Sequence, residues 1–240
     1  MNRKLCEATA RRIWNKESPE WALEEGDVRV GSVRIPLMHW RFDRRLTEMR
    51  GLVGKGKAVY NLCAYKSVRV DHAGTDFDHI LRRELDVCQW LLGQDIVSVY
   101  AIANGDKAVL ALAETASGIV CALDLAATLS AESNPITRHE IIGVEGIITD
   151  RAINEQVPVE AVYVFKKNEK NPETFTDADF SMLGLKPEEI QIVDYIIDLL
   201  ENPGQYEDLQ NRYDYLTKLI DCFHTSIKMG KKVYMGGNAV

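Results

Sequence analysis

Residues 96–129 read IVSVYAIANGDKAVLALAETASGIVCALDLAATL, and this stretch decides the fold. Three runs rich in Val, Ile, Leu and Ala, at 96–102, 108–114 and 119–129, are separated by Asn104-Gly105 and Ser117-Gly118. Such pairs between apolar runs are hairpin turns, so the runs become antiparallel neighbours in one sheet. A sheet with one solvated face should alternate apolar and polar residues. Residues 108–113 and 119–123 are instead apolar at every position. One face can take helices of this chain. The other would expose more apolar surface than a monomer usually tolerates, so a second chain is expected there.

Working outward, residues 77–92 form the clearest helix. Phe77, Ile80, Leu81, Leu85, Cys88, Leu91 and Leu92 make one apolar stripe, Asp76 can cap its start, and Gly93 stands where a left-handed stop would sit. Upstream, 3–15 suggests a short helix, 28–38 is extended with one Gly-Ser break, 43–52 is helical, and 58–70 is a long strand. Downstream, 139–142, 147–149 and 161–165 add short strands. Pro187 opens a helix over 187–200, Asn202-Pro203-Gly204 ends it, and Leu209, Tyr213, Leu216, Ile220 and Phe223 stripe a last helix. The predicted class is α+β: an open, mainly antiparallel sheet with helices packed on one face.

Composition narrows function. The chain has 46% hydrophobic and 27% charged residues, as globular proteins do. Five widely spaced cysteines with no Cys-x-x-Cys argue against a disulfide framework or zinc ribbon and for a reducing, cytoplasmic setting. The first fourteen residues have no signal-peptide core, and the apolar stretch 108–129 is too interrupted to span a membrane. Net charge is −7, but residues 1–70 hold 15 Lys/Arg against 8 Asp/Glu, while the remainder holds 14 against 28. This reads as a solvated surface or as a basic face for an acidic partner chain. Nucleic acid is not expected, because the balance is acidic and no basic segment carries interleaved aromatics.

Several segments, in order, resemble one family. HWRFDRRLTEMRGLVGKGKAVY (39–60), RRELDVCQWLLGQDIVSVYAI (82–102), LAETASGIVCALDLAA (112–127) with RHEIIGVEGIITD (138–150), and more weakly LIDCFHTSIKMGKKV (219–233) are similar to the C-terminal domain of Gfo/Idh/MocA-type oxidoreductases. That resemblance implies an open sheet carrying substrate and oligomer surfaces beside a Rossmann half that binds NAD(P). Here no Gly-x-Gly-x-x-Gly follows a strand, and a complete Rossmann domain is not expected in these residues. The division read is 1–36 as an N-terminal segment and 37–240 as the family-like domain. Leu5-Cys6-Glu7-Ala8-Thr9 resembles a decayed "CEKP" motif with Ala8 in place of lysine, so 1–36 is either a remnant of a lost nucleotide-binding half or an unrelated helix. No cofactor is expected.

The resemblance also places a site. The family's D-x-G-x-H-x-x-D-x-x-x-W, aligned on Asp86 and Trp90, puts His79 and Arg83 at its Asp and His, near one helical face. Arg83 keeps its proton and cannot be a base. Asp71-His72 and Asp76-x-Asp78-His79 crowd two His and three Asp into nine residues. His72, Asp76, His79 and Arg83 are candidates for substrate binding, His79, Arg83 and Asp86 for catalysis, and His72, Asp76 and His79 for a metal, against a plain capping loop. His39, His139 and His224 read as isolated packing or surface histidines. Two functions follow. One is an auxiliary, non-catalytic subunit that self-associates or pairs with a full-length oxidoreductase. The other is a sugar-active enzyme, as half of a split dehydrogenase or in lyase or isomerase chemistry without NAD.

Overall fold

The structure is a computed structural model that describes residues 2–14, 19–54, 61–105, 107–151, 161–167, 169–176 and 185–236. In chain order its elements are α1 (Arg3–Ile13), β1 (Trp21–Leu23), β2 (Asp27–Val30), β3 (Val33–Pro36), α2 (Arg44–Gly54), β4 (Leu62–His72), α3 (Phe77–Leu92), β5 (Ile96–Asn104), β6 (Ala108–Thr115) and β7 (Val120–Leu129). Then come β8 (Ile136–Gly143), β9 (Gly146–Thr149), β10 (Ala161–Lys166), β11 (Glu173–Thr176), α4 (Pro187–Glu201), α5 (Tyr206–Met229) and β12 (Val233–Tyr234). Segments 15–18 and 55–60, which include Tyr60 and the Gly56 of the quoted motif, lie outside the described residues. Among the described residues no helix is long and apolar enough to cross a membrane.

The chain divides into two compact units, Met1–Thr47 with Ala178–Tyr215 and Glu48–Asp177 with Leu216–Val240. This partition does not follow the division at residue 36 read from the sequence. Within the first unit, α1 and α4 are tied end to end. Asn2 caps α1 by accepting from Leu5 N at 3.2 Å, and its own backbone N donates to Glu189 Oε1 at 2.7 Å. The other Glu189 oxygen accepts from Lys186 N at 3.0 Å, so one carboxylate serves the starts of both helices. The three-stranded meander β1-β2-β3 joins this unit.

The second unit is built on a nine-stranded sheet in the order β11-β10-β9-β8-β4-β7-β6-β5-β12. Neighbours pair antiparallel except β4 and β7, which run parallel and close a crossover through α3. The β6–β7 turn is the expected one, with Gly118 at φ 85, a region open to glycine without strain. α3 also ends as expected, on Gly93 at φ 65. Along β6 and β7, Val109, Ala111, Ala113, Cys121, Leu123 and Leu125 are buried while their alternates are not. Ile80, Leu81, Leu85, Cys88 and Leu91 bury the stripe of α3. Each large side chain so buried stabilises by about 1.5–3 kcal/mol.

Asp76 is exposed and accepts from Asp78 N at 3.2 Å as the cap of α3. Asp76→Ala is expected to lower unfolding stability by about 1 kcal/mol, read by chemical denaturation. No change would mean that the helix start is held by packing alone.

Candidate functional site

The chemistry of the second unit gathers under the helix-covered face of β4 and β8. Strand alternation directs Tyr65, Ser67, Arg69 and Asp71 of β4 to that face, and β8 brings His139 opposite Ser67. α3 supplies Arg83 and Glu84, and Asp150 follows β9. Glu84, Ser67, His139 and Asp150 are buried, and Glu84 and His139 have no exposed surface at all.

Glu84 is the hub. Its Oε1 accepts from Arg83 Nη1, and its Oε2 accepts from Ser67 Oγ and from His139 Nε2, the latter at 3.3 Å. The other imidazole nitrogen, Nδ1, donates to Asp150 Oδ2 at 2.9 Å, and the His139 backbone N donates to Asp150 Oδ1. A ring with a carboxylate on each nitrogen must donate from both, so His139 is an imidazolium. Beside this chain, Arg69 holds Asp71 through Nε at 2.5 Å and Nη2 at 3.2 Å, with Nη1 at 3.3 Å from Thr137. The Tyr65 ring stacks on His139 with centroids 6.4 Å apart, and among the described residues its buried hydroxyl has no hydrogen-bond partner.

The electrostatics follow from burial against pairing. Burial favours neutral His139, but Asp150 and the hydrogen bonds to Asp150 and Glu84 outweigh it and raise its pKa to about 9. Burial likewise pushes the Glu84 carboxyl up, yet Arg83, His139 and Arg69 hold it well below the usual carboxylate range. The Tyr65 hydroxyl is pushed well up by burial, then by Glu84. Buried charges persist only when paired in this way.

The cluster includes one residue expected from the sequence. Arg83 lies in it, not as a base but as the counter-ion of Glu84. Asp86 is fully buried on the same helix. His79 is exposed, so the shared working face expected for His79, Arg83 and Asp86 is not formed. His72 ends β4 half-buried, donating from Nε2 to Ser133 O at 2.7 Å. Asp78 binds His224 at 2.8 Å. Among the described residues no group of three or more His, Cys, Asp or Glu side chains is placed to hold a metal ion. Of the three residues read as a metal alternative, His72 is turned to the Ser133 carbonyl and Asp76 to the Asp78 N–H. His139, read as an isolated histidine, is instead the bridge between Glu84 and Asp150. Glu84 left one signal in the sequence, since it stands four residues after Ile80 and four before Cys88, inside the apolar stripe.

No family model matches the sequence, and no curated protein does. Solved structures match the fold. Levoglucosan dehydrogenase, in complex with NADH and levoglucosan, shares 14% identity with a TM-score of 0.65 over 83% of this chain and 65% of that one. A putative oxidoreductase from Thermotoga maritima shares 16%, TM-score 0.61, over 83% and 63%. A putative myo-inositol dehydrogenase from Sinorhizobium meliloti 1021 shares 18%, TM-score 0.59, over 83% and 64%. At such identities the likeness is one of fold, and the chain spans just under two thirds of the length of each. The turn between β4 and α3 does not fit a nicotinamide nucleotide. The crossover from β4 into α3 carries Gly74 alone, and Asp76 and Asp78 crowd the helix start where a pyrophosphate would need bare N–H groups.

Proposed function

We propose that this chain, whose fold is that of the C-terminal domain of Gfo/Idh/MocA-family oxidoreductases, is an auxiliary subunit that self-associates through the open face of its sheet. One observation carries the reading. Ile102, Leu110, Leu112 and Val120 are 55%, 52%, 44% and 48% exposed on adjacent strands. Ile102 lies opposite Leu110, and Val120 opposite Glu114 on the strand that carries Leu112, so the four form one apolar patch. On the same face Lys66 stands opposite Glu140 and Val68 opposite Arg138, with Asp124 beside Val68 on β7. A two-fold axis would set cationic groups of one copy against acidic groups of the other, as a self-complementary interface requires. Arg83 supports the auxiliary role, since a guanidinium bonded to Glu84 does not exchange a proton with substrate.

Light scattering at micromolar concentration is expected to give about twice the 27.1 kDa chain mass. The double variant Leu110→Glu, Leu112→Glu is expected to give one chain mass with an unchanged circular-dichroism spectrum. A wild-type monomer, or a double variant as large as wild type, overturns the reading. If a full-length oxidoreductase rather than a second copy takes the face, the mixed species appears on co-expression.

A second reading, a sugar-active enzyme, is favoured by the buried chain Arg83–Glu84–His139–Asp150. A fold gains little stability from burying ion pairs, so such a chain is also a candidate site. Two of the matched structures bear the names of sugar or polyol dehydrogenases, which supports this class of ligand.

A further inference from the structure

Arg83 is not used up by the network that holds it. Its side chain is nine-tenths buried, with 9% exposure, against 0% for Glu84. Only Nη1 is engaged, on Glu84 Oε1. Among the described residues Nε and Nη2 have no protein partner, and neither is among the buried unsatisfied atoms, so they are what Arg83 presents to solvent. A guanidinium normally binds a carboxylate through two parallel N–H groups. Here Glu84 takes one nitrogen end-on because its other oxygen is committed to Ser67 and His139. The fork edge is left open.

The acceptors nearby are spent. Both Glu84 oxygens, both Asp150 oxygens and both Asp71 oxygens accept hydrogen bonds from within the cluster. Arg69, with 13% of its side chain exposed, is directed inward at Asp71 and Thr137. Its pKa is lowered by burial and then by the like charge of Arg83, so the two guanidiniums are neighbours that repel. What the cluster offers outward is donors.

We propose that the open edge of Arg83, with Arg69 beside it, receives the carboxylate of a small hydroxy acid of the sugar-acid class. The inference rests on the second reading above and names its ligand. A planar carboxylate fits the free Nε–Nη2 edge as a bidentate pair. A monoanion fits better than a phosphate dianion. Arg69, Arg83 and His139 are already balanced by Asp71, Glu84 and Asp150, and each added negative charge has those three buried carboxylates as neighbours, so the smaller charge costs less. A neutral polyol would leave the donor edge only weakly satisfied, and a site built on charge-assisted hydrogen bonds rejects such an analogue.

The test compares gluconate with sorbitol, which differ only in whether the first carbon is a carboxylate or an alcohol, by calorimetric titration of the full chain. Gluconate is expected to bind, more weakly at high salt, and sorbitol to bind about tenfold more weakly or not at all. Arg83→Lys keeps a cation for Glu84 but has no fork. It is expected to stay folded by circular dichroism and to lose gluconate affinity by about tenfold or more. Arg83→Gln should do the same where it folds. Equal binding of gluconate and sorbitol would overturn the carboxylate assignment while leaving a sugar site in place. Binding of neither would overturn the inference together with the reading it rests on, and gluconate binding untouched in Arg83→Lys would remove Arg83 from the site.

Discussion

His139→Ala is expected to lower the unfolding free energy by about 3–5 kcal/mol, the range found when one partner of a buried ion pair is removed. The imidazolium touches a carboxylate at each nitrogen, 2.9 Å from Asp150 and 3.3 Å from Glu84, and is wholly buried. Without it Glu84 keeps Arg83 and Ser67, but among the described residues Asp150 keeps only the backbone N–H of residue 139. The buried Tyr65 ring also loses the neighbour it stacks on. Urea denaturation measures the loss. Adding Asp150→Asn to His139→Ala should restore part of it, because the uncompensated charge goes too, and this non-additivity separates charge from cavity. A loss under about 1 kcal/mol would mean that the network contributes little to stability and that its charges are held by other elements.

The network explains what the sequence disclosed and what it withheld. The hairpins around Gly105 and Gly118 and the helix from Asp76 to Gly93 were legible because their signals are local: a turn glycine, a cap, a 3.6-residue stripe. β4 was legible as a strand, but its parallel partner β7 was not, since a pairing across a helix and two strands leaves no local mark. β1, β11 and β12, of two to four residues, are too short for a period to show. In the site, Arg83 is legible through the motif alignment, and its neighbour Glu84 is not. Yet a carboxylate among Ile80, Leu81, Leu85 and Cys88 can be buried only with a partner. The partner, His139, lies 55 residues on, and only the register of β4 with β8 sets it beside Ser67 and under α3. The adjacent His72, Asp76 and His79 drew attention because they are near in sequence. The structure spends Asp76 on a helix cap and His72 on a loop carbonyl.

Stability is also expected to fall as pH rises from 7 to 8.5, by about 2 kcal/mol, close to the slope for one proton. His139 has its pKa raised to about 9 by Asp150 and Glu84 against burial. A group whose folded pKa lies above its unfolded value of about 6.5 stabilises fully below that unfolded value and loses the effect as pH passes the folded one. Between the two the unfolded chain has lost the proton and the folded chain keeps it. The groups packed around the ring do not cancel this slope. Glu84 is held far below its usual range, so its contribution is lost only as pH falls below about 4.5, outside this window. Tyr65 is pushed upward and stays neutral in the fold, so it adds a further loss only as the unfolded phenol ionises near pH 10. Cys6 and Cys222 are raised as well, by burial first, and their unfolded thiols ionise near the upper end of this window. Denaturation midpoints taken across this window in wild type and in His139→Ala should differ in slope, with the variant nearly flat. A wild-type profile as flat as the variant's would mean that the ring enters the fold neutral, against two carboxylates that each need a donor.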